Sequence, residues 1–276
     1  MNKLFVGYKP LFQSSNYFLT KIKRKYKNKK AGFSGTLDPF ACGVLVIAFG
    51  QYPKLFPYLK KIPKTYQACL WLGTQSASLD LENISAIKHP EQIQKLDLSK
   101  IKTILKGLER EITYTPPIFS AKKIKGKRAY DLARSGETPV LKEEVMKVFK
   151  TKFLAYKHPF LSFEVSVSQG SYVRSFAQIL CEGLKTTGSL SYLKRMNEGK
   201  FFFENEKFLN PLDFLDLKEN FYKGQKEYFM DGKLLDLKDF EYQENGLYFV
   251  KFDDFFSIIE INEEKIIYKL NKVLLE

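Results

Sequence analysis

The sequence GFSGTLDPFACGVLVIAFG occupies residues 32–50 and joins a glycine-rich loop to an apolar run. Residues 41–49 are almost entirely apolar, which predicts that this segment is buried. Pro39 disfavours helical backbone angles at the residue before it, so we expect Asp38 in extended geometry. An ordinary turn of the Asx-Pro type would satisfy the same pattern. The segment therefore predicts a glycine-rich loop that carries Asp38 and leads into the buried run at residues 41–49.

Asp38 is the single acidic residue among the first 79 residues, which contain 13 Lys and Arg. Neighbouring cations stabilise the ionised form of a carboxylate. We therefore expect Asp38 to be charged at neutral pH and suited to act as a nucleophile or base.

The chain has 276 residues, a formal net charge of +14 and 15% aromatic residues. So many aromatic residues argue against a disordered chain, and the length fits one large domain or a large domain with a small one. The longest apolar run is about half of the ~20 residues that a membrane-spanning helix needs. The N-terminus has too short an apolar stretch for a signal peptide, so we expect a cytoplasmic protein.

The charge is unevenly distributed along the chain. Residues 1–203 hold 35 basic and 14 acidic side chains, net +21, whereas residues 204–276 hold 10 basic and 17 acidic side chains, net −7. A basic body with interleaved Tyr and Phe fits a nucleic acid partner, because cations neutralise phosphates and rings stack on bases. A solvated lysine-rich surface explains the same charge equally well.

Cysteine and histidine are too sparse for most metal or nucleophile chemistry. The three cysteines lie far apart among apolar neighbours, which indicates reduced, buried thiols, and the two histidines each precede a proline. We expect no metal site and no Ser/His or Cys/His nucleophile.

Several segments have clear secondary-structure patterns. Residues 14–16 offer N-cap oxygens to an amphipathic, basic helix of about 15 residues. The remaining predictions are strands at residues 3–7, 66–72 and 161–167, a helix at residues 98–108 with Leu98 on its inner face, a linker near residues 204–222 and a β module at residues 228–276.

Two further features concern charge. Residues 122–128 surround Gly126 with cations, which predicts a basic hairpin and a short helix ending at Gly136. Arg174 falls in the first turn of a predicted helix, where the helix dipole disfavours a cation. We therefore expect Arg174 to pair with a carboxylate or a phosphate.

Five motifs in order resemble those of the TruB family of tRNA pseudouridine synthases. The segment at residues 32–50 is similar to the G-H-[ST]-G-[TA]-L-D-P signature of that family. The other four are Lys9-Pro10 with Ser14-Ser15-Asn16, the K-x-Y element Lys64-Thr65-Tyr66, PPIFSAKKIKGKRAYDLARSG at residues 116–136, and SQGSYVRSF at residues 168–176. Together they cover most of residues 3–200, which is far more specific than one motif.

The resemblance implies an α+β fold. The catalytic domain would have a mixed, largely antiparallel sheet and would span residues 1–222, with a basic thumb-like insertion at about 115–140. A small PUA-like β domain would span residues 223–276.

The resemblance also implies an isomerase that detaches uracil from C1′ of uridine 55 in the T arm of tRNA and rejoins it through C5, without a metal or organic cofactor. Asp38 matches the catalytic aspartate, Tyr66 the active-site tyrosine and Arg174 the arginine paired with the aspartate. A carboxylate suits this chemistry because breaking a glycosidic bond builds positive character on the ribose. The target base must be flipped out of the stack.

The expected partner is the T arm of tRNA, and we expect a monomer with no obligate protein partner and no membrane association. Phe33 replaces the usual histidine of the signature, so an aromatic face would fill the gap left by the flipped base. Tyr172 is suited either to support the core or to contact the substrate. The full set of residues expected to contact RNA is Phe33, Lys9, Tyr172, Lys122, Lys123, Lys127 and Arg128.

Other functions remain open at this point. The chain would also suit a chaperone that refolds tRNA, or the related guide-RNA-dependent synthase of box H/ACA particles. A glycosidase of small sugars would need a second carboxylate, and Asp80 is a distant candidate.

Overall fold

The computed structural model describes residues 1–120, 122–124, 126–136 and 140–276. Within them the strands are β1 (Leu4–Lys9), β2 (Ala31–Ser34), β3 (Cys42–Phe49), β4 (Lys64–Leu72), β5 (Thr74–Ser76), β6 (Ile84–Ile87), β7 (Glu111–Tyr114), β8 (Lys123–Ile124), β9 (Lys127–Arg128), β10 (Glu144–Lys157), β11 (Phe160–Val167), β12 (Gly188–Glu198), β13 (Phe208–Leu209), β14 (Lys218–Glu219), β15 (Gly246–Lys251), β16 (Phe255–Asn262) and β17 (Lys265–Leu274). The α-helices are α1 (Ser15–Lys25), α2 (Leu98–Gly107), α3 (Ala129–Arg134), α4 (Val173–Leu184) and α5 (Lys226–Asp231), and 3-10 helices cover Tyr52–Tyr58, Pro90–Gln92, Pro211–Phe214 and Leu237–Asp239.

A large mixed sheet forms the body of the molecule. Its strand order is β13-β1-β3-β12-β4-β11-β10-β7, and β2 pairs with β3 beside this path. Within this sheet every described strand pair is antiparallel except β12 with β3. The predicted α+β fold with a mixed, largely antiparallel sheet is therefore confirmed.

Strand β3 is buried along its whole length because both of its faces are covered. Leu45 and Ile47 pack with the apolar stripe of α1, and Val44 and Val46 face a second cluster. The fully apolar segment seen in the sequence is thus one of the strands at the centre of the sheet.

Helix α1 begins as the sequence predicts and ends earlier. The Ser14 side chain accepts a hydrogen bond from the backbone N–H of Tyr17. The helix has 11 residues rather than about 15 because Lys27 takes a left-handed φ of 50°. Leu98, predicted on the inner face of α2, is 49% exposed because it is the first residue after the N-cap Asp97.

The start of the signature segment also differs from the prediction. Residues 31–34 are not loop but strand β2, in register with β3 from Phe49 to Val46. The loop proper is shorter and spans residues 35–41.

The predicted hairpin and short helix near residue 126 are present. Strands β8 and β9 pair antiparallel, and α3 follows directly. The described part of the predicted insertion thus has the expected local structure.

The predicted β module is present, but its four-stranded sheet, in the order β14-β15-β16-β17, begins before residue 228, because β14 lies in the predicted linker and pairs with β15. Phe256 and Ile258 of β16 share a hydrophobic cluster with Val44 and Val46 of β3, so this small sheet packs on the large one. Part of the predicted linker is also ordered, because β13 adds to the edge of β1. None of the helices among the described residues is long and apolar enough to cross a membrane.

Candidate active site

The loop at residues 35–41 leaves the Asp38 carboxylate partly open to solvent and buries its neighbours. Leu37 and Phe40 are each 3% exposed and anchor the loop in the core. The Ser15 hydroxyl accepts from the Leu37 N–H and lies 2.9 Å from the Leu37 carbonyl oxygen. Asp38 is thus presented from a backbone held at both sides.

Arg174 fulfils the prediction that it pairs with an anion. Its Nη2 lies 2.9 Å from Asp38 Oδ2, and the arginine side chain is 3% exposed against 32% for the aspartate. The guanidinium also donates to the carbonyl oxygens of Ser78 and Phe119 at 2.8 and 2.9 Å. These two hydrogen bonds hold the guanidinium in the orientation in which Nη2 faces Asp38.

A second carboxylate, Asp80, lies behind the arginine. Its Oδ2 is 3.4 Å from Arg174 Nη1, and it accepts from the Ser78 hydroxyl at 2.6 Å and the Glu82 N–H at 2.9 Å. Burial raises the pKa of Asp80 above its usual value, and the bonds from Ser78 and Arg174 oppose that shift. In the sequence Asp80 is only a distant carboxylate. The fold brings it next to Arg174, although the two residues are far apart in the sequence.

Tyr66 lies on β4 and lines the same cavity as Asp38 and Arg174. The cavity has a volume of about 340 Å³, and Tyr66 is 7% exposed within it. An adjoining cavity of about 370 Å³ lies on the other side of the Asp38–Arg174 pair. The structure thus brings together the three residues predicted to be catalytic.

Of the residues predicted to contact RNA, three line a cavity, three have side chains that are not described, and Lys9 is buried. Phe33 lines the second cavity, and Tyr172 and Lys122 line the first. Lys122 also pairs with Glu144. The side chains of Lys123, Lys127 and Arg128 lie outside the part of the chain that the structure describes.

Tyr172 immediately precedes α4 and partly joins the core cluster, as well as lining the cavity. Burial raises the pKa of its hydroxyl, so the phenol stays protonated.

The prediction that Lys9 contacts RNA is wrong. Lys9 is 0% exposed, and its ammonium donates to the carbonyl oxygens of Pro10, Gln13 and Pro39. Burial lowers the pKa of this amine to about 8. Because all three donors are taken by backbone next to the Asp38 loop, Lys9 braces the loop and does not reach a phosphate.

Lys64 and Arg195 line the first cavity and belong to a buried ion cluster that the sequence does not predict. Glu198 at the end of β12 is fully buried, with Oε1 2.8 Å from Arg195 Nη2 and Oε2 3.1 Å from Lys64 Nζ. Lys64 and Glu198 are partners in the β4–β12 register, but that register is not visible in the sequence.

Among the described residues, no three or more His, Cys, Asp or Glu side chains come together as a metal site would require. The three cysteines are free thiols, and Cys69 is half-buried rather than buried as predicted because it lies on the more open face of β4.

Comparisons with known proteins identify relatives of the whole chain. Residues 23–173 match the family model described as TruB family pseudouridylate synthase (N terminal domain). A protein of a Nitratiruptor species named tRNA pseudouridine synthase B is 50% identical over 273 residues, covering 99% of this chain and 98% of the relative. A protein of the same name from Campylobacter concisus (strain 13826) is 50% identical over 273 residues, covering 99% of each.

Solved structures share the fold. The structure titled "Structure of H/ACA RNP bound to a substrate RNA containing 2'-deoxyuridine" aligns with a TM-score of 0.66 at 18% identity, over 99% of this chain and 85% of that one. The "Crystal Structure of a Cbf5-Nop10-Gar1 Complex" aligns with a TM-score of 0.65 at 18% identity, over 99% and 84%.

The fold and the family match define a pseudouridylate synthase, an isomerase. The chain belongs to the TruB family of these enzymes.

Proposed function

We propose that this protein isomerises uridine 55 in the T arm of tRNA to pseudouridine, with Asp38 as the catalytic carboxylate. The observation that carries the proposal is the 2.9 Å pair between Asp38 Oδ2 and Arg174 Nη2 in a cavity that Tyr66 also lines. The relatives named tRNA pseudouridine synthase B, similar over nearly the whole chain, support tRNA as the substrate.

The reaction breaks the bond between N1 of uracil and C1′ of ribose and forms a bond from C5 to C1′. The proton on C5 leaves and N1 gains one, so substrate and product are isomers and no co-reactant is needed. Positive character develops on the ribose as the first bond breaks, and the ionised Asp38 attacks or stabilises that centre. Arg174 orients the carboxylate through the ion pair.

Tyr66 and the cavity hold the detached base during the second half of the reaction. In this proposal the Tyr66 ring stacks on the uracil, and its hydroxyl lies near the C5 proton removed last. Tyr66 is almost fully buried and forms part of the cavity wall, against which the detached base would stay beside C1′ and hinder attack of water on that carbon.

Access to a stacked uridine requires base flipping, which costs a few kcal/mol of stacking energy. The net charge of +21 on residues 1–203 supports binding of the phosphate backbone, and Phe33 in the second cavity would fill the gap that the flipped base leaves. We further propose a catalytic domain at residues 1–222 and a PUA-like domain at 223–276, acting as a monomer in the cytoplasm.

The test is to incubate the protein with an unmodified tRNA transcript and to map pseudouridine by carbodiimide treatment and primer extension. We expect one stop in the T loop with wild type and none with Asp38→Asn. Asp253→Asn is the matched control, because Asp253 is an exposed aspartate of the C-terminal module. Absence of product in wild type, or full activity in Asp38→Asn, contradicts the proposal.

The modification map on naked tRNA, together with a tRNA-folding assay on Asp38→Asn, separates the two alternatives. A guide-RNA-dependent synthase would leave naked tRNA unmodified without a guide and protein partners. A tRNA chaperone would retain its folding effect in Asp38→Asn, and modification would be incidental to that effect.

A further inference from the structure

A buried ion cluster lies directly beneath the loop that carries Asp38. Glu198 is 0% exposed and pairs with both Arg195 and Lys64, which are 1% and 6% exposed. The position of Glu198 is fixed by its backbone, which pairs with Phe201 in a tight turn through Gly199. The carboxylate therefore has little freedom to move away from its two partners.

Arg195 connects this cluster to the loop. Its Nη2 donates to the Gly35 carbonyl oxygen at 2.9 Å, and its Nε donates to the Val44 carbonyl oxygen at 2.7 Å. These two acceptors lie on either side of Asp38 in the sequence. Arg195 thus ties together both ends of the segment that presents the catalytic carboxylate.

Gly35 lies against the same cluster. It has a left-handed φ of 68°, and a Cβ at this position would lie 2.6 Å from Lys64 Nζ and 3.5 Å from Glu198 Oε2. Loop and cluster are therefore in close contact at Gly35, so a shift of Lys64 or Glu198 alters the packing of the loop at this residue.

The charge balance of the cluster depends on Glu198. Lys61 is 7% exposed and donates to the Ser34 hydroxyl. Burial lowers the pKa of Lys61, and the charge of Glu198 opposes part of that shift. Three cations therefore share one buried carboxylate. Removing one partner of a buried ion pair leaves the others uncompensated, which is costly.

We propose that Glu198 is a positioning residue for Asp38, acting through Arg195 and Lys64. The carboxylate holds the Arg195 guanidinium in the orientation that clamps the Gly35 carbonyl oxygen, and it keeps the Lys64 ammonium against the loop. This inference rests on the proposed function, since it assigns Glu198 to the same reaction.

The experiment compares wild type with Glu198→Gln, which removes the charge and keeps the shape. Asn220→Ala is the matched control: Asn220 is 1% exposed, and its side chain makes two hydrogen bonds to the Tyr242 backbone in the C-terminal module. Three quantities are measured below the unfolding temperature of every variant. They are the single-turnover rate of pseudouridine formation on bound tRNA, the Kd for tRNA, and amide hydrogen exchange of residues 35–41.

For Glu198→Gln we expect a single-turnover rate about 10- to 100-fold lower, because small misplacements of a catalytic group have effects of that size. The Kd should stay within about twofold of wild type, since the interaction acts on the reaction and not on binding. Exchange at residues 35–41 should rise. Asn220→Ala should lower the unfolding temperature and leave rate and loop exchange at wild-type values.

If Glu198→Gln does not fold, Arg195→Lys provides the second variant, because a lysine lacks the separate Nε and Nη2 donors that bond the Val44 and Gly35 carbonyl oxygens while the guanidinium pairs with Glu198. A wild-type single-turnover rate in a folded Glu198→Gln or Arg195→Lys protein overturns the inference. If wild type itself modifies no tRNA while loop exchange still rises in Glu198→Gln, the proposed function fails and the positioning of the loop by Glu198 stands.

Discussion

Arg174 has two carboxylate partners with different surroundings. Asp38 is 32% exposed and lines both cavities, whereas Asp80 is 4% exposed and lines only the second. The guanidinium divides these contacts between two nitrogens, Nη2 toward Asp38 and Nη1 toward Asp80, whereas an ammonium has all its donors on one nitrogen. The arginine is therefore held from behind and remains available to the carboxylate in front.

Arg174→Lys should consequently lower kcat/KM for tRNA by roughly 100-fold, since the bond to Asp38 and those to Ser78 and Phe119 cannot all be kept. Steady-state kinetics on a tRNA transcript checks this. Arg110→Lys, an exposed arginine at the end of the α2 turn, is the control and should match wild type. Equal activity in both variants would show that the pairing is dispensable.

Lys9 gives a prediction about stability and pH. Its pKa in the folded protein is about 8, below the usual 10.5 of a lysine, so the unfolded chain binds more protons between these values. Stability therefore rises with pH across this window. The free energy of unfolding of wild type minus that of Lys9→Met should increase by about 2 kcal/mol between roughly pH 8 and pH 10. Urea unfolding at several pH values measures it, and a flat difference contradicts the burial of a charged amine.

Among the elements, strands β3 and β12 approach each other closely at a glycine. These strands pair in parallel at Gly43, where φ is 110° and a Cβ would lie 2.2 Å from the Arg195 carbonyl oxygen. A side chain at this position forces the two strands apart.

Gly43→Ala should therefore destabilise the protein by more than about 3 kcal/mol, through backbone strain and a clash that no side chain can relieve. Gly107→Ala is the matched control, since nothing lies within 4 Å of a Cβ at the end of α2. That variant should be neutral or slightly stabilised. Thermal unfolding of both decides, and similar melting temperatures would refute the role of the contact.

The whole molecule combines a basic body with an acidic C-terminal part, so tRNA affinity should fall steeply with salt. Lys122 lines the cavity beside Asp38, and in the proposed complex it would exchange Glu144 for a phosphate. Lys122→Ala should reduce the slope of log Kd against log salt by about 1. Lys269→Ala, in the C-terminal sheet, should leave the slope unchanged, and equal slopes in both variants would exclude Lys122 from the interface.

The sequence predicts features that depend on neighbouring residues and misses those that depend on distant ones. The need of Arg174 for an anion followed from its place in the first turn of α4, and β11 followed from strict alternation. The positions of Asp80 and Glu198 depend on strand register and on a loop far away in sequence. The burial of Lys9 depends on the fold of residues 10–39 around it, so a cation in a basic segment was mistaken for a surface group.

The strand order limits which fragments of the chain can form the large sheet. Residues 23–173, the stretch that matches the family model, hold Asp38 and Tyr66 but stop one residue short of Arg174. They also lack β1 and β12, the two strands that flank β3 in the path of the large sheet. A fragment cut at these limits would keep β2 on part of one edge of β3 but would leave the edge that pairs with β1 open, which is a template for aggregation. We therefore expect this fragment to be inactive, because it lacks Arg174 and the two strands, β1 and β12, that flank β3 in the sheet.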